Sequence, residues 1–341
     1  MVARSRRFVA VVAGATIAAG LAACSSGGSS TSSAGSSSAS SAGGAGKNLT
    51  IAVIPGSTTN GFYIAAHTGA DAEAKQLGVT LNWQGGSTFS PDSQTPVVNS
   101  LLAQKPSALV IAPTDPTAMV PPLLAWQQAN IPIVTFDSTT AGSAVKPVTR
   151  VSSDNSGGGL MAADEMIKLT DGTGKVAVID FETSDTVLED RLVAFKNELS
   201  AKAPNMSIVS TTYTGTDFAK AQAAVSSLYA KYPDLAGVFC TFDDGTINAA
   251  RGLQQVQASK VKLVGFEADP SEIQLLKSGT ISALVAQQPK AEAAQAVEAA
   301  YYAASGQTSK IQATSVVKDV LITADNVDSM TQYYYPGNTA S

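Results

Sequence analysis

The chain has 341 residues, with 22 Lys and Arg against 27 Asp and Glu and a formal net charge of −5. No Lys/Arg-rich block is present, which excludes a nucleic-acid partner, because that binding rests on a basic patch. The single histidine, His67, cannot make a metal cluster alone, no Gly-x-Ser-x-Gly elbow offers a catalytic nucleophile, and neither cofactor, metal nor catalytic residue is expected.

Arg4, Arg6 and Arg7 precede an apolar run over residues 8–21 that ends in Leu21-Ala22-Ala23-Cys24. A basic start, a short apolar stretch and small residues before a cleavage point mark an export signal, and the run is shorter than the ~20 residues a bilayer-crossing helix needs. The pattern resembles the bacterial lipoprotein signal, which implies removal of residues 1–23 and acylation of Cys24 as the mature N-terminus. Residues 24–46 are almost entirely Ser, Gly, Ala and Thr and cannot bury enough apolar surface to offset chain ordering, so they read as a tether.

From about residue 47 to 336 the chain is too long for one ordinary domain and suits two lobes of ~100–200 residues each. Strand-like and helix-like patterns alternate: a strand over 49–54, a helix over 62–77, a strand over 79–83 and a helix over 91–104. Further apolar or β-branched strands follow at 109–112, 133–136, 176–179, 208–213, 238–240, 263–266 and 283–286, with clear helices at 219–229 and 291–304. Gly157-Gly158-Gly159 lacks a following Lys-Ser/Thr, so it opens a helix after an interlobe break and is not a phosphate loop. Continuous apolar strands separated by helices predict α/β architecture: two doubly wound, Rossmann-like parallel sheets with the ligand in the cleft between them. Residues 47–152 with 288–316 are expected to form the first lobe and 153–287 with 317–336 the second, joined by three strands near Ser153-Asp154, Gln287-Gln288 and Val317-Lys318. With Cys24 taken by lipid, Cys240 remains alone in the apolar run Gly237-Val238-Phe239-Cys240, as a buried small hydrophobe.

Such sheets bind ligands beyond the carboxyl ends of their strands. The segments there are 56–63, 113–116, 137–138, 181–191, 213–218, 241–244, 267–270 and 287, and they are rich in aromatics, carboxylates and amides. A carbohydrate site needs that mixture, since aromatic faces pack on sugar C–H patches while planar polar groups chelate neighbouring hydroxyls.

At these residues the chain resembles the type I periplasmic binding proteins of ABC transporters, the ribose-binding-like sugar binders among them. The likeness is carried by Asn60-Gly61-Phe62-Tyr63, Ala112-Pro113-Thr114-Asp115, Ala129-Asn130-Ile131-Pro132-Ile133-Val134, Arg191-Leu192-Val193-Ala194-Phe195, Asp217-Phe218, Val264-Gly265-Phe266-Glu267 and Ala286-Gln287. The resemblance implies a site of Asn60, Phe62, Tyr63, Asp137, Ser138, Arg191, Phe218, Phe242, Glu267 and Gln287, with Asp137 and Arg191 gripping hydroxyls and the aromatics stacking on the ring. Ser138 stands where ribose binders carry a second arginine, Phe242 where they carry an asparagine, and Glu267 lengthens the usual aspartate, so a sugar other than ribose is expected.

Plainer readings exist for several of these residues. The aromatics also suit a core, Asn60 a turn that satisfies its own loop, Glu267 a cap for a helix near Pro270, and Asp137 with Arg191 a salt bridge across the hinge. The resemblance implies a monomeric, lipid-anchored carrier that binds a monosaccharide or polyol and passes it to an ABC permease. The rival readings are a ligand-sensing receptor with a membrane signalling partner, a binder of cationic or amine-bearing molecules, and a hydrolase using Asp137 and Glu267 as paired carboxylates.

Overall fold

The computed structural model describes residues 49–183 and 185–336. The expected signal, the Cys24 lipidation site and the tether lie outside the described residues. The first series of elements is β1 (Thr50–Ile54), α1 (Gly61–Leu77), β2 (Thr80–Trp83), α2 (Pro91–Ala103), β3 (Ala108–Ile111), α3 (Val120–Gln128), β4 (Ile133–Phe136) and β5 (Thr149–Ser153). The second is α4 (Asn155–Leu169), β6 (Gly174–Asp180), α5 (Thr186–Lys202), β7 (Met206–Tyr213), α6 (Ala219–Lys231), β8 (Leu235–Cys240), α7 (Asp243–Gln255), β9 (Lys262–Phe266), α8 (Pro270–Lys277) and β10 (Ala283–Ala286). After these come α9 (Pro289–Ala304), β11 (Thr314–Val317) and β12 (Val320–Thr323).

Two six-stranded sheets result, in the orders β11-β5-β4-β3-β1-β2 and β12-β10-β9-β8-β6-β7. Every pairing in the first is parallel, and in the second only β12 runs antiparallel to its neighbour β10. The central strands are apolar throughout because both of their faces are covered: Ile51 to Ile54, Leu109 to Ile111 and Leu284 to Ala286 are all fully buried. Cys240 is likewise fully buried, at the end of β8. β5 and β11 lack such apolar runs and are strands by virtue of their pairing, in register Thr314 to Arg150 through Val317 to Ser153.

The chain passes between the sheets at Asp154, at Gln287-Gln288 and at Lys318-Asp319. These crossings are tied together: the Asp154 N–H donates to the Val317 carbonyl at 2.9 Å, Gln288 Nε2 to the Lys318 carbonyl at 2.6 Å, and Lys318 pairs with Asp154. Ser153 Oγ donates to Glu292 Oε2 at 2.7 Å, holding the start of α9 to the end of β5.

Helix α9 follows the second crossing yet packs on α1 and on β1, β3, β4 and β5 of the first sheet. Gly69 allows the approach, since a Cβ there would stand 2.0 Å from the Lys290 carbonyl oxygen, backbone that cannot rotate away. Gly69→Ala is therefore expected to lower stability by about 1–2 kcal/mol through forced separation of the two helices, read as a lower urea midpoint at unchanged slope.

Candidate functional site

The carboxyl ends of strands from both sheets open onto one cleft of about 930 Å³, within the size range of ligand sites. All ten residues expected from the sequence line it: Asn60, Phe62, Tyr63, Asp137, Ser138, Arg191, Phe218, Phe242, Glu267 and Gln287. Its rims touch. Asn60 Nδ2 donates to Asp243 Oδ2 at 2.9 Å across the cleft, and a Cβ on Gly61 would lie 1.9 Å from Asp269 Oδ1.

Each lobe supplies a set of aromatic rings. Phe62 and Tyr63, in the first turn of α1, meet edge-on at 5.0 Å, and Tyr63 stacks on Phe89 at 6.5 Å. Phe181, Phe218 and Phe242 form the second set, with centroids 5.8 to 6.5 Å apart. Phe242 occupies the N-cap position of α7 without a side-chain cap bond, so its ring is free to join that wall.

Polar groups lie between the rings. Asp137, in the left-handed region at φ 60°, follows β4 and accepts from the Tyr63 hydroxyl at 2.5 Å. Burial raises its pKa, opposed by the Tyr63 bond and by Arg191 and Arg150. Burial and the Asp137 charge raise Tyr63 well above the usual phenol range, so it remains a donor. Arg191 is 2 % exposed and gives Nε to Asn155 Oδ1 at 2.9 Å and Nη1 to the Thr241 carbonyl at 2.7 Å and to Glu267 Oε1 at 3.2 Å. Its ion pair is with Glu267 in its own lobe rather than with Asp137 across the hinge.

Glu267 does not cap α8. Asp269 does, in a reciprocal capping box with Glu272, which leaves Glu267 to Arg191 and the cleft. Asn60 caps α1 by accepting from the Phe62 N–H at 2.9 Å, so both ends of its amide are engaged. The Ser138 hydroxyl donates to the Pro113 carbonyl at 2.7 Å. Gln287 is 2 % exposed and its Nε2 has no protein partner among the described residues, which is uncommon for a buried donor.

Phe89, Phe181, Asp185, Asp243, Asp244 and Asp269 also line the cleft; of these the sequence pointed to Asp243 alone, as an acid that could favour a cationic ligand. All but Phe89 fall within the flagged segments after strands; Phe89 follows the edge strand β2, which was not among them. Asp185 caps α5, Asp269 caps α8, and Asp243 and Asp244 begin α7, so part of the acidity is placed by helix N-termini, which favour negative charge. Among the described lining residues the carboxylates are Asp137, Asp185, Asp243, Asp244, Glu267 and Asp269, and the only cation is Arg191.

Burial first, and neighbouring negative charge second, raise the pKa values of Asp185, Asp244, Glu267 and Asp269. Burial lifts Asp185 and Asp244 to about 6 and Glu267 to about 7, with Asp243 adding to the shift of Asp244 and Glu267. Asp269 is raised by burial and then by Asp243 and Glu267. A carboxyl with a raised folded-state pKa contributes its full stability below the unfolded value and loses it as pH rises through the folded value. The ligand-free protein is therefore expected to melt at progressively lower temperature between about pH 5 and 8, which a thermal unfolding series in constant ionic strength measures.

Residues 51–308 match the family described as periplasmic binding protein domain. A ribose import binding protein of Escherichia coli is 29 % identical over 267 residues, covering 77 % of this chain and 87 % of that one. A D-ribose/D-allose-binding protein of Pseudomonas aeruginosa is 25 % identical, covering 79 % and 86 %. Among solved structures, an ABC transporter solute-binding protein of Agrobacterium vitis bound with α-D-tagatopyranose is 34 % identical with a TM-score of 0.80, over 84 % of this chain and 99 % of that one. A second from the same organism, with bound D-fucose, is 27 % identical with a TM-score of 0.77, over 84 % and 100 %.

Proposed function

The chain belongs to the periplasmic binding protein family, and from that premise we propose that its cleft captures a monosaccharide or polyol, which the closed protein delivers to an ABC importer. It works outside the cytoplasm and as a carrier, not an enzyme. The observation that carries the sugar reading is the cleft itself: ring systems from both lobes flank Asp137, Arg191, Glu267 and Gln287, whose Nε2 has no partner among the described residues. Ring faces take the apolar side of a pyranose, and the polar groups take its hydroxyls. The ten sequence-derived residues are assigned as the ligand contacts on that chemistry; Asn60 and Ser138 also make the rim and loop bonds described above.

Three crossings joining two lobes support a hinge. Ligand contacts in both lobes favour the closed arrangement, and differential affinity for that arrangement is what shifts the population. The closed face is what a permease reads. Lipid attachment at Cys24 and a monomeric state complete the proposal, the former resting on Leu21-Ala22-Ala23-Cys24. Cys24→Ala in the full chain is expected to release the protein from membranes, checked by fractionation and fatty-acid labelling.

The excess of cleft carboxylates over Arg191 also favours a second reading, an amine-bearing ligand. A thermal-shift screen from residue 47 onward against pentoses, hexoses, polyols, amino sugars and polyamines separates the two, because a ligand bound by the native state alone raises apparent stability. Hits among neutral sugars support the first reading; hits confined to amines replace it with the second.

A further inference from the structure

After β12 the chain stays fastened to the second lobe. Asn326 Nδ2 donates to the Leu321 carbonyl at 3.0 Å, Lys277 pairs with Asp328 at 2.7 Å, and Val327 is buried in the core. The Tyr334 hydroxyl donates to the Val327 carbonyl, and the Tyr335 N–H donates to the Ala268 carbonyl at 3.1 Å. This strap lies beyond residues 51–308, the part that matches the family.

It ends on Tyr335, which is 4 % exposed and stands behind the cleft. The Tyr335 hydroxyl lies 2.6 Å from Glu267 Oε2 and 3.3 Å from the Gln287 carbonyl oxygen. Its ring meets Phe62 of the first lobe edge-on at 6.4 Å. Arg191 holds the other carboxylate oxygen of Glu267. A buried carboxylate needs a donor for each oxygen, and here α5 provides one and the strap the other.

We propose that Tyr335 is a positioning residue of the ligand site, its hydroxyl holding Glu267 as an oriented, ionised acceptor and its ring tying that arrangement to Phe62 across the cleft. The proposal rests on the sugar reading of the cleft. The groups facing Glu267 are Arg191 from α5, Asp243 at the start of α7, Asp269 and Glu272 at α8, Asp137 from the first lobe, Asp319 between β11 and β12, and Tyr335. Arg191 and Tyr335 favour the ionised form; the acids oppose it.

Tyr335→Phe keeps the ring and removes the donor. Two measurements on the mature-length protein test it: the carboxyl carbon-13 titration of Glu267 in the ligand-free state, assigned with Glu267→Gln, and calorimetric affinity for D-tagatose, D-ribose and D-allose from pH 5.5 to 8.5. The expected result is that Glu267 titrates at higher pH in the variant, and that affinity for the bound sugar falls about tenfold near pH 7, as for a lost hydrogen bond to a charged group, recovering towards pH 8.5. A purely structural role would weaken binding by the same factor at every pH. An unchanged titration overturns the proposal, and so does a shifted titration with an unchanged affinity profile. If neither protein binds these sugars or any neutral sugar or polyol of the thermal-shift screen, the sugar reading fails, while a shifted titration still supports the hold of Tyr335 on Glu267.

Discussion

Arg191→Ala is expected to cost about 3–5 kcal/mol of stability, a large share of the ~5–15 kcal/mol that holds a typical domain folded. The guanidinium is 2 % exposed, serves Asn155, the Thr241 carbonyl and Glu267, and lies 4.1 Å over the Phe266 ring. Truncation leaves an orphaned carbonyl and a buried carboxylate without its main counter-charge. The sign of the pH effect follows. Arg191 lowers the pKa of Glu267, so without it Glu267 is neutral over a wider range and the loss shrinks towards acid. Guanidinium unfolding at pH 5.5 and pH 8 should therefore show a larger deficit at pH 8. An equal deficit at both would mean that the Glu267 pair contributes nothing and that only packing and the neutral hydrogen bonds are lost. Sugar binding should vanish at both pH values, since Glu267 and the second-lobe wall lose their shared anchor.

Asp137→Asn is expected to separate binding from folding. Position 137 has φ 60°, a conformation that asparagine tolerates and alanine does not, and the oxygen of the substituted amide would still accept from Tyr63. Removing a buried charge also removes its desolvation cost, so the ligand-free variant should be as stable as the parent or slightly more so. If Asp137 accepts ligand hydroxyls as proposed, affinity should fall about 100-fold, the effect of replacing a charged acceptor by a neutral group that turns a donor towards those hydroxyls. Calorimetric titration beside thermal unfolding checks both halves. Affinity within about threefold of the parent would remove Asp137 from the site, because an engaged charged acceptor contributes more than that.

The two results probe different roles within one cleft. Arg191 is part of the scaffold whatever the ligand, because its Nε and Nη1 are engaged by the protein itself. Asp137 has one donor from Tyr63, and burial raises the cost of its charge, so its removal is expected to act on binding and not on folding. Gln287 Nε2 is likewise buried, with no hydrogen-bond partner among the described residues.

Much of the fold was readable along the chain because each buried strand needs apolar residues on both faces. The strand expectations at 133–136 and 283–286 coincide with β4 and β10, and those at 109–112, 238–240 and 263–266 overlap β3, β8 and β9 within residues at their ends. The first helix was expected from residue 62 and begins at Gly61, because Asn60 supplies the cap. β5 and β11 were less legible, since Thr149-Arg150-Val151-Ser152-Ser153 and Thr314-Ser315-Val316-Val317 gain their strand character from the neighbours they pair with.

Residue order therefore carried the α/β alternation, the buried place of Cys240 and the segments that would meet beyond the strand ends, because periodicity and strand-end position are local properties. Folding decided the rest. It set Asn60 against Asp243 across the cleft, paired Arg191 with Glu267 instead of Asp137, and gave the capping of α8 to Asp269. It also brought Tyr335, from the far end of the chain, within 2.6 Å of Glu267. Hydrogen-bond partners and desolvation depend on which distant segments the core brings together, and no periodicity in the chain encodes those distances.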